Sequence, residues 1–258
     1  YEDTEKKYRY IEALPKPGTT NIEDKAFSNC GLLQSVIVSN SVESIGDSAF
    51  FSCNNLQSVM IGKSVKTIGE YVFSRCRSLQ SVTIGNSVES IGENAFFSCG
   101  SLKSITIPNS VKIIGEEAFA GCELLKSVTL GNSVETIGDL AFYNCKMLPY
   151  MTIPDSVKTM GECAFEECKS LKSVTIPNSL EIIDYCAFRC CKSLESVFLG
   201  ESVKTICDGS FQNCYSLKSV TLGNSVETIG DSAFSDCRLL TSVTIPNSVK
   251  TMGEKAFA

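Results

Sequence analysis

Residues 102–122 read LKSITIPNSVKIIGEEAFAGC, and close copies of this stretch fill most of the chain. In its first half, polar residues separate the apolar Leu102, Ile105 and Ile107, a pattern that predicts a short β-strand ended by a Pro-Asn-Ser turn. In its second half, Val111 leads through a glycine and two acidic residues to Ala-Phe-Ala-Gly-Cys. Acidic residues placed first favour a single helical turn. Each copy therefore predicts a strand followed by a turn that reverses the chain.

The copies repeat at a fixed interval of 23 residues, marked by phenylalanine and by cysteine. The phenylalanines are Phe27, Phe50, Phe73, Phe96, Phe119, Phe142, Phe165, Phe188, Phe211, Phe234 and Phe257. The cysteines are Cys30, Cys53, Cys76, Cys99, Cys122, Cys145, Cys168, Cys191, Cys214 and Cys237. A unit this short cannot bury its own apolar face, but stacked copies turn each apolar position into a buried column. The spacing therefore predicts a solenoid.

The expected fold is an α/β solenoid of about ten units over residues 22–258. Each unit contributes a short parallel strand and a helical turn, and the units wind into a right-handed superhelix. Residues 1–21 are expected to be an N-terminal cap or a linker, since they are rich in Glu, Lys and Tyr and contain Pro-Lys-Pro-Gly. The chain stops at Ala258, where the repeat leads to one more residue and a cysteine, which indicates truncation within a repeat.

The composition excludes several functions. The chain has no His, so it cannot form a Ser/His/Asp or Cys/His catalytic relay or an imidazole zinc site. We therefore predict no enzyme activity, no cofactor and no metal. Twenty-three basic and 29 acidic residues give a net charge of −6, which argues against a nucleic-acid partner unless the basic residues gather on one face. No apolar run approaches the roughly 20 residues of a membrane span, so no membrane insertion is expected.

The repeat pattern C-x-x-L-x-S-V-x-I-P-x-S-V-x-x-I-G-x-x-A-F-x-x-C resembles the treponemal-type leucine-rich repeat of BspA-like surface proteins. Every unit keeps A-F-x-x-C or a close variant, as in Val72-Phe73 and Ser210-Phe211. The resemblance implies an extracellular or cell-surface protein whose relatives act in adhesion and attach to host or matrix proteins. Common leucine-rich repeats place a buried Asn ladder after the strand, whereas this chain has serines such as Ser41 and Ser64. We expect their hydroxyls to bond backbone groups of the turn.

The ten in-register cysteines are expected to be reduced and buried, because a free cysteine usually packs as a small hydrophobe. A single-file column with this spacing does not suit a metal. Four further cysteines lie outside the repeating cysteine position: Cys163, Cys186, Cys190 and Cys207. Cys163 and Cys186 lie 23 residues apart and should face each other on adjacent units. Their spacing suits a disulfide or two half-exposed thiols.

Two charged columns are predicted. Acidic and basic residues alternate after each Ser-Val or Ser-Leu, which predicts a surface ladder of ion pairs. They are Glu43, Lys66, Glu89, Lys112, Glu135, Lys158, Glu181, Lys204, Glu227 and Lys250. The second column is acidic in ten of eleven units, with Tyr185 as the exception. Its members are Asp24, Asp47, Glu70, Glu93, Glu116, Asp139, Glu162, Asp208, Asp231 and Glu254. We expect exposed N–H groups of the helical turn to offset this charge, in preference to a calcium-binding strip.

The outward face of the strands is the expected binding surface, because leucine-rich repeat solenoids present their sheet as one extended wall. Its columns are mainly Gln or Lys, Ser, and Thr. The candidate binding residues depart from these columns or border the departures, and they are Ile37, Met60, Pro149, Tyr150, Lys172, Glu195 and Phe198. Tyr150 and Phe198 lie two units apart, so we expect their Cα atoms to be about 10–12 Å apart. They predict a hot spot or, alternatively, tolerated drift in the repeat.

The leading hypothesis is a non-enzymatic adhesion or recognition module that binds a protein ligand through its strand face, outside the cell or on its surface. The first alternative is a structural spacer that displays another domain. The second is a carbohydrate-binding surface that uses the hydroxyl-rich wall together with Tyr150 and Phe198.

Overall fold

The structure, a computed structural model, describes residues 18–258 and confirms a solenoid of stacked 23-residue units. We call each unit a rung. A rung has a three-residue strand, a two-residue strand and a turn region that leads to the next rung. Strands pair in parallel with a shift of 23 residues, as Val36 pairs with Val59. Most of the expected cap or linker, residues 1–21, lies outside the described residues, although Asn21–Ile22 forms the first strand.

The three-residue strands form one face of the solenoid, which we call the strand wall. It separates into sheets of three, two and four strands. The strands are β2 (Ser35–Ile37), β4 (Ser58–Met60), β6 (Ser81–Thr83), β8 (Ser104–Thr106), β10 (Ser127–Thr129), β12 (Tyr150–Thr152), β14 (Ser173–Thr175), β16 (Ser196–Phe198) and β18 (Ser219–Thr221). Their central residue points into the core and the flanking residues face outward, which confirms the predicted alternation.

The two-residue strands form a second wall, made of one sheet of seven strands and one of four. The strands are β1 (Asn21–Ile22), β3 (Ser44–Ile45), β5 (Thr67–Ile68), β7 (Ser90–Ile91), β9 (Ile113–Ile114), β11 (Thr136–Ile137), β13 (Thr159–Met160), β15 (Ile182–Ile183), β17 (Thr205–Ile206), β19 (Thr228–Ile229) and β20 (Thr251–Met252). The sequence did not predict this second strand in each unit.

We call the turn region of each rung, such as residues 46–53, the turn arc. The prediction that it forms a helical turn is wrong. Residues 18–258 contain no helix, so none in this part of the chain could cross a membrane, and the α/β class is not confirmed. Two residues of each complete arc have positive φ, such as Ser48 at 56° and Ser52 at 58°, and left-handed residues interrupt an α-helix. The Phe50 N–H bonds to Val72 O of the next rung at 2.9 Å instead of to its own arc.

The core confirms the two predicted columns. Consecutive phenylalanine rings stack with centroids 5.1–5.4 Å apart along the whole solenoid. From Cys53 to Cys237 the in-register cysteines are buried free thiols, and Cys30 is half-buried. Each buried thiol donates to the phenylalanine carbonyl of the preceding rung, as Cys99 Sγ does to Phe73 O at 3.1 Å. The column therefore satisfies carbonyl groups as well as filling space.

A glycine precedes the acidic position in most rungs because the rungs approach closely there. A Cβ at Gly69 would lie 2.9 Å from a carbonyl oxygen of the preceding rung. Asp184 takes this position between β13 and β15, where the second wall breaks. In the described chain the N–H groups of Asp184 and of Glu181 both lack the bond to the preceding rung that the equivalent residues of the other rungs make. Cys207 also replaces the glycine but keeps its bond to Ile183 O at 2.9 Å.

The predicted role of the serine column is wrong for most of its members. Ser156 donates to Val134 O of the preceding rung at 2.7 Å. The buried hydroxyls of Ser110, Ser179 and Ser248 have no hydrogen-bond partner within the described chain. The residue before the serine joins rungs instead, because an asparagine amide oxygen reaches farther than a hydroxyl. The Oδ1 atoms of Asn40, Asn109 and Asn178 each accept a hydrogen bond from a backbone N–H of the next rung, with N–O distances of 2.8–2.9 Å.

Candidate recognition surface

The strand wall holds the apolar residues that the sequence singled out. Tyr150 is 60% exposed, Phe198 56%, Met60 52% and Ile37 40%. Each lies at a flanking position of its strand, so its side chain faces outward. The core of these strands is already filled by the central residues. The exposed side chains therefore add nothing to the core and are available to a partner.

The sheet register separates these residues into two groups. Ile37 pairs directly with Met60 at the N-terminal end. Tyr150 pairs with Ser173, and Phe198 pairs with Thr175, so one strand lies between the two aromatic residues. Two steps between strands correspond to about 10 Å, in keeping with the expected separation of the Cα atoms.

Pro149 precedes Tyr150 and explains one break in the strand wall. In neighbouring rungs the equivalent N–H crosses to the preceding rung, as Lys126 N does to Lys103 O at 2.8 Å. Proline has no N–H, so it removes this bond at the junction of β10 and β12, where the sheet is interrupted. Pro149 itself is half-buried and shapes the backbone of the surface more than it offers a side chain.

Glu195 pairs with Lys218 on the following rung, with Oε2 and Nζ 2.7 Å apart. Lys172, which occupies the same column one rung earlier, forms no salt bridge with a residue from 18 to 258. The Lys218 bond lowers the pKa of Glu195, and the charge of Lys172 lowers it further. Glu195 therefore stays ionised between two cations at neutral pH.

Two exposed apolar residues on the same side of the chain were missed by the sequence reasoning. Leu124 and Met147 are exposed and occupy equivalent positions in adjacent rungs, two residues before the outward-facing Lys126 and Pro149. Five of the ten rungs have serine there, and Leu32 and Leu239 are exposed at the same position. The same comparison with the repeat consensus that identified Tyr150 would have found them.

A groove follows the C-terminal ends of the wall strands. One part, of about 760 Å³, runs from Val82 to Asn132, and a second part, of about 630 Å³, runs from Val128 to Pro177. Both parts are lined by threonines, by apolar residues such as Leu130, and by prolines and polar residues of the following turns. The groove thus combines an apolar floor with hydrogen-bonding walls over five rungs.

The two charged columns differ from their predictions in detail. The alternating column forms separate pairs instead of a continuous ladder, each joining a lysine to the glutamate one rung earlier at 2.7–2.9 Å. These pairs are Lys158–Glu135, Lys204–Glu181 and Lys250–Glu227. In the acidic column, a backbone N–H of the next rung offsets the charge of each aspartate, as the Asp47 N–H does for Asp24 Oδ1 at 2.8 Å. No cluster of three or more potential metal ligands forms among residues 18–258.

Cys163 and Cys186 occupy equivalent positions on adjacent arcs, and both are half-buried free thiols in the structure. Burial, followed by the nearby Glu166, raises the pKa of Cys163 well above its ordinary range. Cys190 and Cys207 are also half-buried free thiols. The disulfide between Cys163 and Cys186 stays a prediction.

Comparison with known proteins shows which family this architecture resembles. The model of the BspA type leucine rich repeat region matches residues 20–149 and 135–258. A leucine rich cell surface protein from Faecalibacterium prausnitzii A2-165 is 30% identical over 93% of this chain and 74% of that chain, with a TM-score of 0.62. A leucine-rich repeat protein from Bacteroides ovatus ATCC 8483 is 29% identical over 91% and 78% of the two chains, with a TM-score of 0.53.

A leucine-rich repeat protein from Eubacterium ventriosum ATCC 27560 shares the fold at 22% identity, over 88% of this chain and 82% of that chain, with a TM-score of 0.59. No functionally curated protein shows significant similarity to the chain. The family match covers nearly all of the described solenoid and agrees with its parallel 23-residue rungs. The chain therefore belongs to the family of BspA-type leucine-rich repeat proteins.

Proposed function

We propose that this chain is a non-enzymatic recognition module that binds a protein ligand through the strand wall. The carrying observation is the exposure of Tyr150 and Phe198 on a face that is otherwise hydroxyl-rich. Aromatic residues in a polar surround are typical centres of protein interfaces. Pro149, Lys172 and Glu195 border this centre in the same surface.

An extracellular or cell-surface location is part of the proposal. It is supported by the F. prausnitzii relative, which is described as a cell surface protein. It also agrees with the polar and hydroxyl-rich composition of the strand wall. Ile37 and Met60 form a second, smaller apolar pair that would extend the contact toward the N-terminal end.

The test uses arrays of extracellular-matrix proteins and of glycans, probed with the wild-type chain and with a Tyr150→Ser, Phe198→Thr double variant. Both substitutions restore the residue that most rungs have at these positions, so the fold should be unchanged. We expect a protein ligand to bind wild type and to lose affinity by at least about tenfold in the variant. Equal binding by the two chains would contradict the proposal and favour a spacer. Binding to glycans alone would favour the carbohydrate alternative.

We also propose that Cys163 and Cys186 form a disulfide in an oxidising environment. Each thiol loses its proton, an S–S bond forms, and the two electrons reduce a small-molecule disulfide to two thiols. The raised pKa of Cys163 should make this reaction slow at neutral pH. Peptide mapping after incubation with oxidised glutathione tests it, and recovery of both peptides without a linked pair would contradict it.

A further inference from the structure

The positive charge of the strand wall is separated from the negative charge of the rest of the molecule. The three outward-facing columns of the wall contain four lysines, one glutamate and no other charged residue between Gln34 and Thr244. The whole chain carries a net charge of −6. A patch whose sign opposes that of the molecule is a directional electrostatic feature, because it attracts anions to one face only.

The lysines in the middle of the wall lack partners, whereas six of the twelve other lysines in residues 18–258 form salt bridges. Lys103, Lys126 and Lys172 are exposed and form no salt bridge with any residue from 18 to 258. On the second wall, Lys158 has Glu135 at 2.7 Å. The repeat can thus supply a carboxylate to a lysine on a neighbouring rung, but it does not do so in this part of the strand wall.

The fold does not need these charges. Lys103 and Lys126 immediately precede the paired strands β8 and β10, where the Lys126 N–H bonds to Lys103 O at 2.8 Å, and like charges on adjacent strands destabilise a sheet. The same column has neutral Gln34, Gln57 and Gln80 in the N-terminal rungs. Since glutamine serves the fold equally well in these rungs, the lysines are better explained by what they bind.

An apolar contact site lies among the lysines. Tyr150 stands between the rungs of Lys126 and Lys172 and is 60% exposed. The groove beside β12 offers Leu130 and Ile153 as an apolar floor. A partner that satisfies both features carries carboxylates for the lysines and a bulky apolar side chain for Tyr150 and the groove.

We propose that the wall from Lys103 to Lys172 binds an acidic protein segment that contains a large apolar residue. This inference rests on the proposed function and specifies the chemistry of its ligand. A protein segment fits better than a polyphosphate chain, because the net charge of −6 repels a long polyanion and the patch has no arginine for bidentate phosphate contacts.

The probes are three synthetic peptides of equal length: an acidic peptide with one central Phe, the same peptide with Lys in place of each acidic residue, and the acidic peptide with Ser in place of Phe. Binding is measured by fluorescence anisotropy at low and at physiological salt. We expect the first peptide to bind tightest, the second not to bind, and the affinity of the first to fall as salt rises.

Matched variants locate the site. Lys103→Gln with Lys126→Gln gives the wall the residue of its own N-terminal rungs, and the affinity for the first peptide should fall about tenfold. Lys66→Gln with Lys112→Gln removes the same charge from the second wall, where neither lysine forms a salt bridge with a described residue, and affinity should be unchanged. Equal losses in both double variants, or no binding of the acidic Phe peptide to wild type, overturn the inference.

Two further outcomes separate this inference from the proposed function. Heparin or an oligonucleotide could bind tighter than the peptide and depend in the same way on Lys103 and Lys126. That result would overturn the choice of a protein segment as the ligand. A natural protein ligand that is lost with Tyr150→Ser but kept with the two wall lysines replaced leaves the proposed function intact and overturns the acidic-segment inference.

Discussion

The turn arc and the strand wall are parts of the same repeating unit, but they differ in how completely backbone hydrogen bonds join neighbouring rungs. In the arc, three backbone hydrogen bonds cross each junction between rungs, from Lys25 N–Asp47 O at 2.9 Å to Asp236 N–Ala258 O at 2.6 Å. Phenylalanine rings stack across the same junctions. The strand wall instead divides into three sheets and the second wall into two. Backbone pairing is therefore complete only in the arc.

This difference indicates that the arc and the walls have separate structural roles within each unit. The buried Phe and Cys columns and the complete backbone pairing let the arc hold the rungs in register. The walls can then accept interruptions of pairing, as at Pro149 and between β13 and β15. Side chains on the wall are also free to depart from the repeat, as Tyr150 and Phe198 do. The continuous arc thus provides stability that does not depend on the residues of the walls.

The largest expected effect comes from removing one ring from the arc. Phe142 is fully buried and stacks on Phe119 and Phe165 at 5.3 and 5.2 Å. Phe142→Ala should lower the free energy of unfolding by about 3–5 kcal/mol, since it leaves a cavity and interrupts the stack. Urea denaturation followed by circular dichroism measures it. A loss below about 1 kcal/mol would show that the arc is not the main stabilising element.

The second prediction concerns alkaline pH. Burial raises the pKa of Cys122 and Cys168 to about 12, whereas an unfolded cysteine has a pKa of about 8.5. The folded chain therefore keeps protons that the unfolded chain releases. This contribution to stability is complete below about pH 8.5 and is lost as pH rises toward 12. The urea midpoint should fall steadily above about pH 9.

The control for the alkaline prediction is a Cys122→Ala, Cys168→Ala double variant. It should be less stable than wild type at neutral pH, because two buried thiols are lost, but its midpoint should decline less steeply above about pH 9. Identical slopes for the two proteins would mean that other groups cause the alkaline unfolding.

A third, smaller effect should follow from repairing the second wall. Asp184→Gly removes the side chain at the close approach of β13 and β15 and should restore the bond to Met160 O. The expected gain is about 1 kcal/mol, the net value of a hydrogen bond. Cys207→Gly is the matched control, because Cys207 already makes its bond and has little to gain. Hydrogen exchange at residue 184 measures the repair, and unchanged protection would contradict it.

The smallest effect is expected on the strand wall. The Tyr150→Ser, Phe198→Thr double variant should change the free energy of unfolding by less than about 0.5 kcal/mol, because both side chains face outward. Thermal unfolding of this variant beside Phe142→Ala makes the comparison direct. A large loss of stability in the wall variant would show that these side chains serve the fold and would weaken their assignment to recognition.

The sequence by itself determined the repeat length, the buried Phe and Cys columns, the outward strand face and the departures at Ile37, Met60, Tyr150 and Phe198. All of these features depend on which residues lie 23 positions apart and therefore stack on each other. Because the repeats contain no insertions, these residues can be identified from the sequence alone. Only the tertiary structure decided that the arc has left-handed residues instead of a helix, that Glu195 pairs with Lys218, and that asparagines join the turns. The physical reason is that a stacked chain can bond to the rung above, the rung below or itself. The choice among these partners depends on the distance and orientation of the groups, which the period does not specify.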